Sequence, residues 1–170
     1  MDDVSIRLLA AGDIPAITAT FSALGWHKPA VQYERYLAEQ RRGKREILVS
    51  WQGTAFAGYV TVVWQSGYAP FRDAGIPEIV DLNVLPHLRR RGIGSRLLDE
   101  AERLIAERSP VAGIGVGLYA DYGAAQRLYS KRGYVPDGRG LLYHGRHIRW
   151  GDRVVIDDGL ILYFTKNLLL

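Results

Sequence analysis

The segment that most restricts the fold runs from Glu78 to Glu107. Glu78-Ile79-Val80-Asp81-Leu82-Asn83-Val84 is largely apolar and ends before Pro86, which cannot donate a ladder hydrogen bond, so it reads as a central strand. After the turn Arg89-Arg90-Arg91-Gly92-Ile93-Gly94, the residues Leu97, Leu98, Ala101, Leu104 and Ile105 recur at helical spacing. Asp99, Glu100, Glu102, Arg103 and Glu107 take the other face. A strand, a glycine turn and an amphipathic helix together aim free backbone N–H groups and a positive dipole end at one spot, which suits an anion. Gly92 and Gly94 admit phosphate oxygens close to the backbone and the three arginines supply charge, so pyrophosphate is a natural guest. The same residues also allow a plainer reading, in which the glycines only shape a tight connection and the arginines are surface charge. Two phosphate-binding alternatives fail on the residues: no Lys-Ser or Lys-Thr follows the second glycine, and the turn lacks the third glycine of a dinucleotide fingerprint.

The 170 residues suit one domain, 1–170, with a core that needs no disulfide or metal. Cysteine is absent, which excludes thiol nucleophiles, Cys-ligated zinc and disulfides, and is compatible with a reducing cytosol. The 22 Lys plus Arg against 18 Asp plus Glu give a charge of +4, which suits an anionic ligand and is too modest to imply nucleic acid. The start Met1-Asp2-Asp3-Val4-Ser5-Ile6-Arg7 has no basic or apolar leader pattern, and no apolar run is long enough for a membrane span, so a cytoplasmic protein is expected.

Elsewhere, Ser5–Leu9 reads as a strand. Asp13 reads as the N-cap of a helix to about Leu24 with Pro15 in its first turn, and Pro29 as the opening of a second helix that stops at Gly43. The basic run Arg41, Arg42, Lys44 and Arg45 is expected to be a solvated helix end. Ile47–Trp51 and Ala55–Trp64 are β-rich and flank Gln52-Gly53-Thr54, a hairpin signature. Gln65–Pro77, with its two Gly, two Pro and the exposed-looking Tyr68 and Phe71, is expected to be a loop, and so is the polar stretch Gly138–Trp150. In Gly113–Tyr119 the glycines 113, 115 and 117 leave one strand face bare, which either makes room at a cleft or lets a helix pack closely. Gly123–Arg132 reads as a helix capped by Gly133, and Leu160–Thr165 as a closing strand.

With these residues in view, the chain resembles the GCN5-related N-acetyltransferases (GNAT). Arg89-Arg90-Arg91-Gly92-Ile93-Gly94 fits the family's central motif, preceded by Leu82-Asn83-Val84-Leu85-Pro86. Ala125-Gln126-Arg127-Leu128-Tyr129 through Gly133-Tyr134 is similar to its second signature. One departure is Tyr122, where family members commonly carry an Asn that contacts the cofactor. The resemblance implies a GNAT fold: an α/β domain with a mixed, mostly antiparallel central sheet, splayed central strands and helices on both faces. It implies an acetyl-CoA-dependent N-acetyltransferase, which moves an acetyl group to a primary amine of a small molecule or peptide by direct attack in a ternary complex. A noncatalytic acyl-CoA sensor of the same fold is the alternative.

By the same resemblance, the backbone of Leu82 and Val84 pairs with the pantetheine arm, with Asn83 between them. Arg89, Arg90, Arg91, Gly92, Ile93, Gly94 and Ser95 hold the pyrophosphate, and Tyr122 and Ala125 lie along the cofactor. Tyr129 faces the sulfur and donates a hydrogen bond or proton to the departing thiolate. Glu78 is the first choice of base; Asp81 is the alternative, placed by strand alternation on the opposite face. Water alone is left open as the base. His144 and His147 lack a third ligand, so no metal is expected. Trp26, Tyr33, Trp64, Tyr68, Phe71 and Trp150 offer aromatic walls for an acceptor, and Asp157 and Asp158 offer charge for a cationic amine, without being assigned as sites. The partners expected are an amine substrate, with no nucleic acid or membrane, and a homodimer is left open.

Overall fold

A computed structural model describes residues 4–169; Met1–Asp3, the start of the segment read above for a leader, lie outside the described residues. Eight strands run β1 (Val4–Leu8), β2 (Arg45–Gln52), β3 (Ala55–Val63), β4 (Glu78–Val84), β5 (Val111–Gly117), β6 (Val135–Tyr143), β7 (Arg146–His147) and β8 (Leu160–Asn167). Five helices are α1 (Ile14–Ala23), α2 (Ala30–Arg41), α3 (Ala69–Ala74), α4 (Ile93–Ala106) and α5 (Gly123–Lys131). The strand order is β1-β2-β3-β4-β5-β8-β6-β7 in one mostly antiparallel sheet, the α/β arrangement expected. β4 and β5 are parallel, through the pairs Glu78 with Gly113 and Ile79 with Ile114. The chain divides into two compact units, one made of residues up to Trp64 with Val80–Leu104, the other of Gln65–Ile79 with Ile105 onward.

In the first unit, β2 and β3 are buried at consecutive positions, as strands covered on both faces must be. Gly53, at φ 60, makes the two-residue turn that pairs Gln52 with Ala55. A register shift between Ser50 and Trp51 lets Phe56 and Tyr59, three residues apart, both reach Phe21 of α1, with ring centroids at 5.5 and 6.1 Å. Tyr33 of α2 stacks on Phe21 at 6.5 Å, so an aromatic cluster fastens α1 and α2 to the hairpin. Asp13 stands at the N-cap of α1 but does not cap it with its side chain. Arg7 takes both carboxylate oxygens at 2.7 Å, and the Ala10 amide donates to it at 2.8 Å. The basic run after α2 is exposed at Arg41, Arg42 and Lys44, whereas Arg45 is held by Glu39 at 2.6 Å and lies over the Tyr36 ring.

The second unit corrects two loop expectations. Gln65–Pro77 contains α3, and Tyr68 and Phe71 are buried, not exposed, because Tyr68 stacks on Tyr163 of β8 at 3.8 Å and Phe71 meets both rings edge-on. Gly138–Trp150 is not irregular throughout: β6 continues to Tyr143 and turns into β7 through His144 and Gly145, both with positive φ. The bare glycine face of β5 is filled by rings. A Cβ at Gly113 would strike Phe71, one at Gly115 would press on Tyr163, and one at Gly117 would strike Tyr122. Gly113, Gly115 and Gly117 therefore serve close aromatic packing within this unit, from Phe71 of the short α3 among others.

Candidate functional site

In the first unit β4 leads into the arginine turn. The Leu85 amide donates to the Ala57 carbonyl at 3.0 Å, and the Asn83 carbonyl lies against Gly58, where any Cβ would collide with it. Asn83 and Leu85 therefore point their backbone groups at β3, and alternation turns those of Leu82 and Val84 to the other edge of the strand. The Val84 carbonyl accepts from Arg89 Nε at 3.2 Å, and the Arg89 guanidinium rests over the Trp26 ring at 5.9 Å. The turn itself reverses through Arg90 at φ 58 and Gly92 at φ 81. Left-handed backbone is cheap for glycine and costs an arginine roughly 1 kcal/mol. Gly92 is exposed, and a Cβ built there would meet nothing within 4 Å, so no protein atom covers the turn at that point. The Gly92 carbonyl accepts the Arg96 amide at 3.0 Å, which places the amides of Ile93 and Gly94 ahead of the first α-helical bond of α4. Buried Ile93, Leu97, Leu98 and Ala101 seat the helix, and Arg96 ties it to the Val4 carbonyl at 2.6 Å.

Asp81 is saturated with donors. Its Oδ1 accepts from Lys28 Nζ at 3.1 Å and Asn83 Nδ2 at 2.7 Å; its Oδ2 accepts from Tyr36 OH at 3.1 Å, Gln32 Nε2 at 3.2 Å and, at very short range, Tyr59 OH. Burial works against the charge, but Lys28 and the phenols outweigh it and hold the carboxyl below its ordinary range. The same burial, reinforced by the Asp81 charge, pushes the Tyr59 hydroxyl strongly up, so it stays a donor. The Asp81 carboxylate, so stabilised, is a weak proton acceptor. Its backbone, at φ 59, is not extended, so the alternation rule that opposed it to Glu78 does not hold through this residue.

The second unit carries the remaining candidates. Tyr129 on α5 is 6% exposed, and burial pushes its hydroxyl up to about 12, so the phenol keeps its proton through the neutral and mildly alkaline range. Glu78 at the start of β4 accepts a very short hydrogen bond from Ser66 Oγ, and Ser66 in turn accepts the Tyr68 amide at 2.9 Å. A hydroxyl has one proton, so with the amide pointed at its lone pair Ser66 must donate to Glu78. Tyr122 lays its ring on Gly117 and donates to Asp158 at 2.8 Å; Tyr119 donates to the same carboxylate, and the two hydroxyls hold Asp158 low. The departure at Tyr122 thus has an internal partner. Ala125 is half-buried on the same helix as Tyr129, where Gln126 Nε2 reaches the Gly117 carbonyl at 2.9 Å.

The structure therefore gathers Leu82, Asn83, Val84 and Arg89–Ser95 in one unit, and Glu78, Tyr122, Ala125 and Tyr129 in the other. Sequence reading missed Ser66 and the donors around Asp81. Among the suggested acceptor groups, Tyr33 and Phe71 are core, Trp150 is fully exposed, and Asp157 is taken by Tyr143 and His144. Among the described residues no group of three His, Cys, Asp or Glu could hold a metal, and no helix is long and apolar enough to cross a membrane.

The acetyltransferase (GNAT) family model matches residues 16–134, well over half of the chain, so this protein belongs to that family. No curated protein matches it. Among solved structures, a GNAT-family acetyltransferase from Desulfovibrio desulfuricans is similar with a TM-score of 0.72 at 16% identity, over 98% of this chain and 99% of that one. A ribosomal-protein-alanine N-acetyltransferase from Brucella melitensis gives 0.69 at 21%, over 96% and 99%. An acetyltransferase from Salmonella typhimurium, solved with its cofactor acetyl-CoA, gives 0.68 at 19%, over 97% and 94%. At these identities the likeness speaks for a shared fold.

Proposed function

We propose that residues 1–170 act as one N-acetyltransferase domain, a cytoplasmic enzyme that moves the acetyl group of acetyl-CoA to a primary amine by direct attack in a ternary complex, without a metal. The observation that carries this reading is the uncovered left-handed turn at Gly92 leading into the first amides of α4. It fits a pyrophosphate, because backbone donors and a helix dipole end stand at a point free of side chains. In the proposal Arg89–Ser95 hold that group, and Leu82 and Val84 present their backbone edge to the pantetheine arm as an added strand would. Arg89 then exchanges its bond to the Val84 carbonyl for a phosphate oxygen.

Acetyl-CoA supplies an activated thioester carbon; the protein supplies donors and proton handling. The Val84 N–H polarises the thioester carbonyl. Glu78, oriented by Ser66, accepts the proton the amine loses, directly or through water. Tyr129 donates a hydrogen bond or its proton to the departing sulfur; burial raises its hydroxyl to about 12, which keeps it a donor while making it a weaker acid.

A thiol-release assay across an amine panel tests the proposal. The wild-type protein should release thiol with at least one primary amine, and Tyr129→Phe should lower turnover by about 10²-fold. Calorimetric binding of acetyl-CoA with no thiol release for any amine would favour a sensor instead.

A further inference from the structure

The ammonium of Lys28 sits in a built receptor. Its Nζ donates to Asp81 at 3.1 Å and to the Tyr59 hydroxyl at 2.9 Å, and it lies over the Phe21 ring at 5.7 Å. A carboxylate, a phenol hydroxyl and an aromatic ring face together form the set of groups that recognises an alkylammonium. The Lys28 side chain is 18% exposed and that of Asp81 20%, so the receptor is shielded yet reachable. Tyr33, at 0% exposure, packs edge-on against the Tyr59 ring at 5.5 Å and closes the inner side of the cluster. Lys28 enters from the connection between α1 and α2, next to Pro29, rather than from a helix or strand that would fix it.

We infer that this cage is an ammonium subsite of the acceptor, occupied from within by Lys28, and that the acceptor is a dication whose non-reacting ammonium displaces Lys28. The inference rests on the acetyltransferase reading above. The nitrogen that attacks must be neutral, and a carboxylate held ionised by several donors favours a charged guest. The cage therefore binds one nitrogen while a second one reacts. Asp81 stands three residues before Val84, at most roughly 10 Å along the strand by its rise per residue, which sets the stem between the two nitrogens. An alkyl diamine or a peptide with a free amine at each end of such a stem meets that description; a neutral amine or a simple monoamine does not use the cage. Lys28 acts as a competitor at high effective concentration, which lowers the apparent affinity for the acceptor without changing the site.

Lys28→Ala, without acetyl-CoA, should gain thermal stability on addition of n-butylammonium or 1,4-diaminobutane but not of n-butanol. The wild type at the same concentrations should gain little, and Lys28→Ala/Asp81→Asn nothing. In turnover, Lys28→Ala should lower KM for diamines by at least about tenfold relative to monoamines of equal length. If Lys28→Ala does not fold, Lys28→Met keeps the stem over Phe21 and methylammonium becomes the probe. A folded Lys28 variant that no alkylammonium stabilises, or an unchanged ratio of diamine to monoamine KM, overturns the inference. The stabilisation arm needs no catalysis, so its failure is distinct from a failure to release thiol.

Discussion

Two carboxylates on β4, Asp81 and Glu78, differ in what surrounds them, and the contrast separates binding from proton transfer. Asp81 accepts from an ammonium, an amide of each of two side chains and two phenols, so its charge is fixed. Glu78 is oriented by Ser66, itself anchored to the Tyr68 amide. A group wrapped in donors that include an ammonium holds a cation well and takes a proton badly, and Glu78 is the group that takes it in the proposed reaction. Sequence alone ranked Glu78 first as the base and kept Asp81, on the opposite face, as the alternative.

Breaking the contrast at Asp81 should have the largest effect on folding. Asp81→Ala strands a shielded ammonium and removes the acceptor for four further donors, and should cost about 3 kcal/mol in a urea titration at pH 7, the low end for a broken buried pair. Because the Asp81 carboxyl is held below its ordinary range, its contribution is complete above the unfolded value of about 4 and fades as pH falls through the lower folded one. The gap between wild type and variant should therefore narrow from pH 5 to pH 3. Breaking it at Glu78 should do the reverse: Glu78→Gln should leave stability within roughly 1 kcal/mol and lower kcat by about 10²-fold or more, read by thiol release with the same variant's melting curve.

Smaller changes sharpen the picture. Ser66→Ala should lower kcat by roughly tenfold at unchanged KM, read by thiol release. A merely structural role for Ser66 would instead show in the melting curve with kcat intact. Gly117→Ala should cost about 1–3 kcal/mol, because the Tyr122 ring must shift off the strand. If burial alone governs Tyr129, no loss of rate from its ionisation should appear below about pH 11.

How much of this was legible in the chain depended on the range of the interactions. The run from β4 through the arginine turn into α4 is written locally, in a Pro stop, two glycines and a helical stripe, and the elements lie where those signals put them. The family signatures are equally local. The burial of Tyr68 and Phe71 was not legible, because their partners Tyr163 and Gly113 are distant in sequence and meet them only once β8 inserts between β5 and β6. The β6–β7 hairpin was hidden because a histidine, His144, takes the left-handed position usually marked by Asn, Asp or Gly. The partners of Asp81 are scattered from Lys28 to Asn83, and its own left-handed backbone defeats the alternation on which its side was judged.

The backbone opening α4 is expected to receive a pyrophosphate, and the proposed chemistry depends on it. Amide nitrogen and proton shifts of Gly92, Ile93 and Gly94 should be followed by NMR during titration with coenzyme A and, separately, with pantetheine, which lacks the phosphates. Large saturable shifts at these three amides with coenzyme A and small ones with pantetheine are predicted. Equal responses to the two, or shifts confined to other residues, would contradict it.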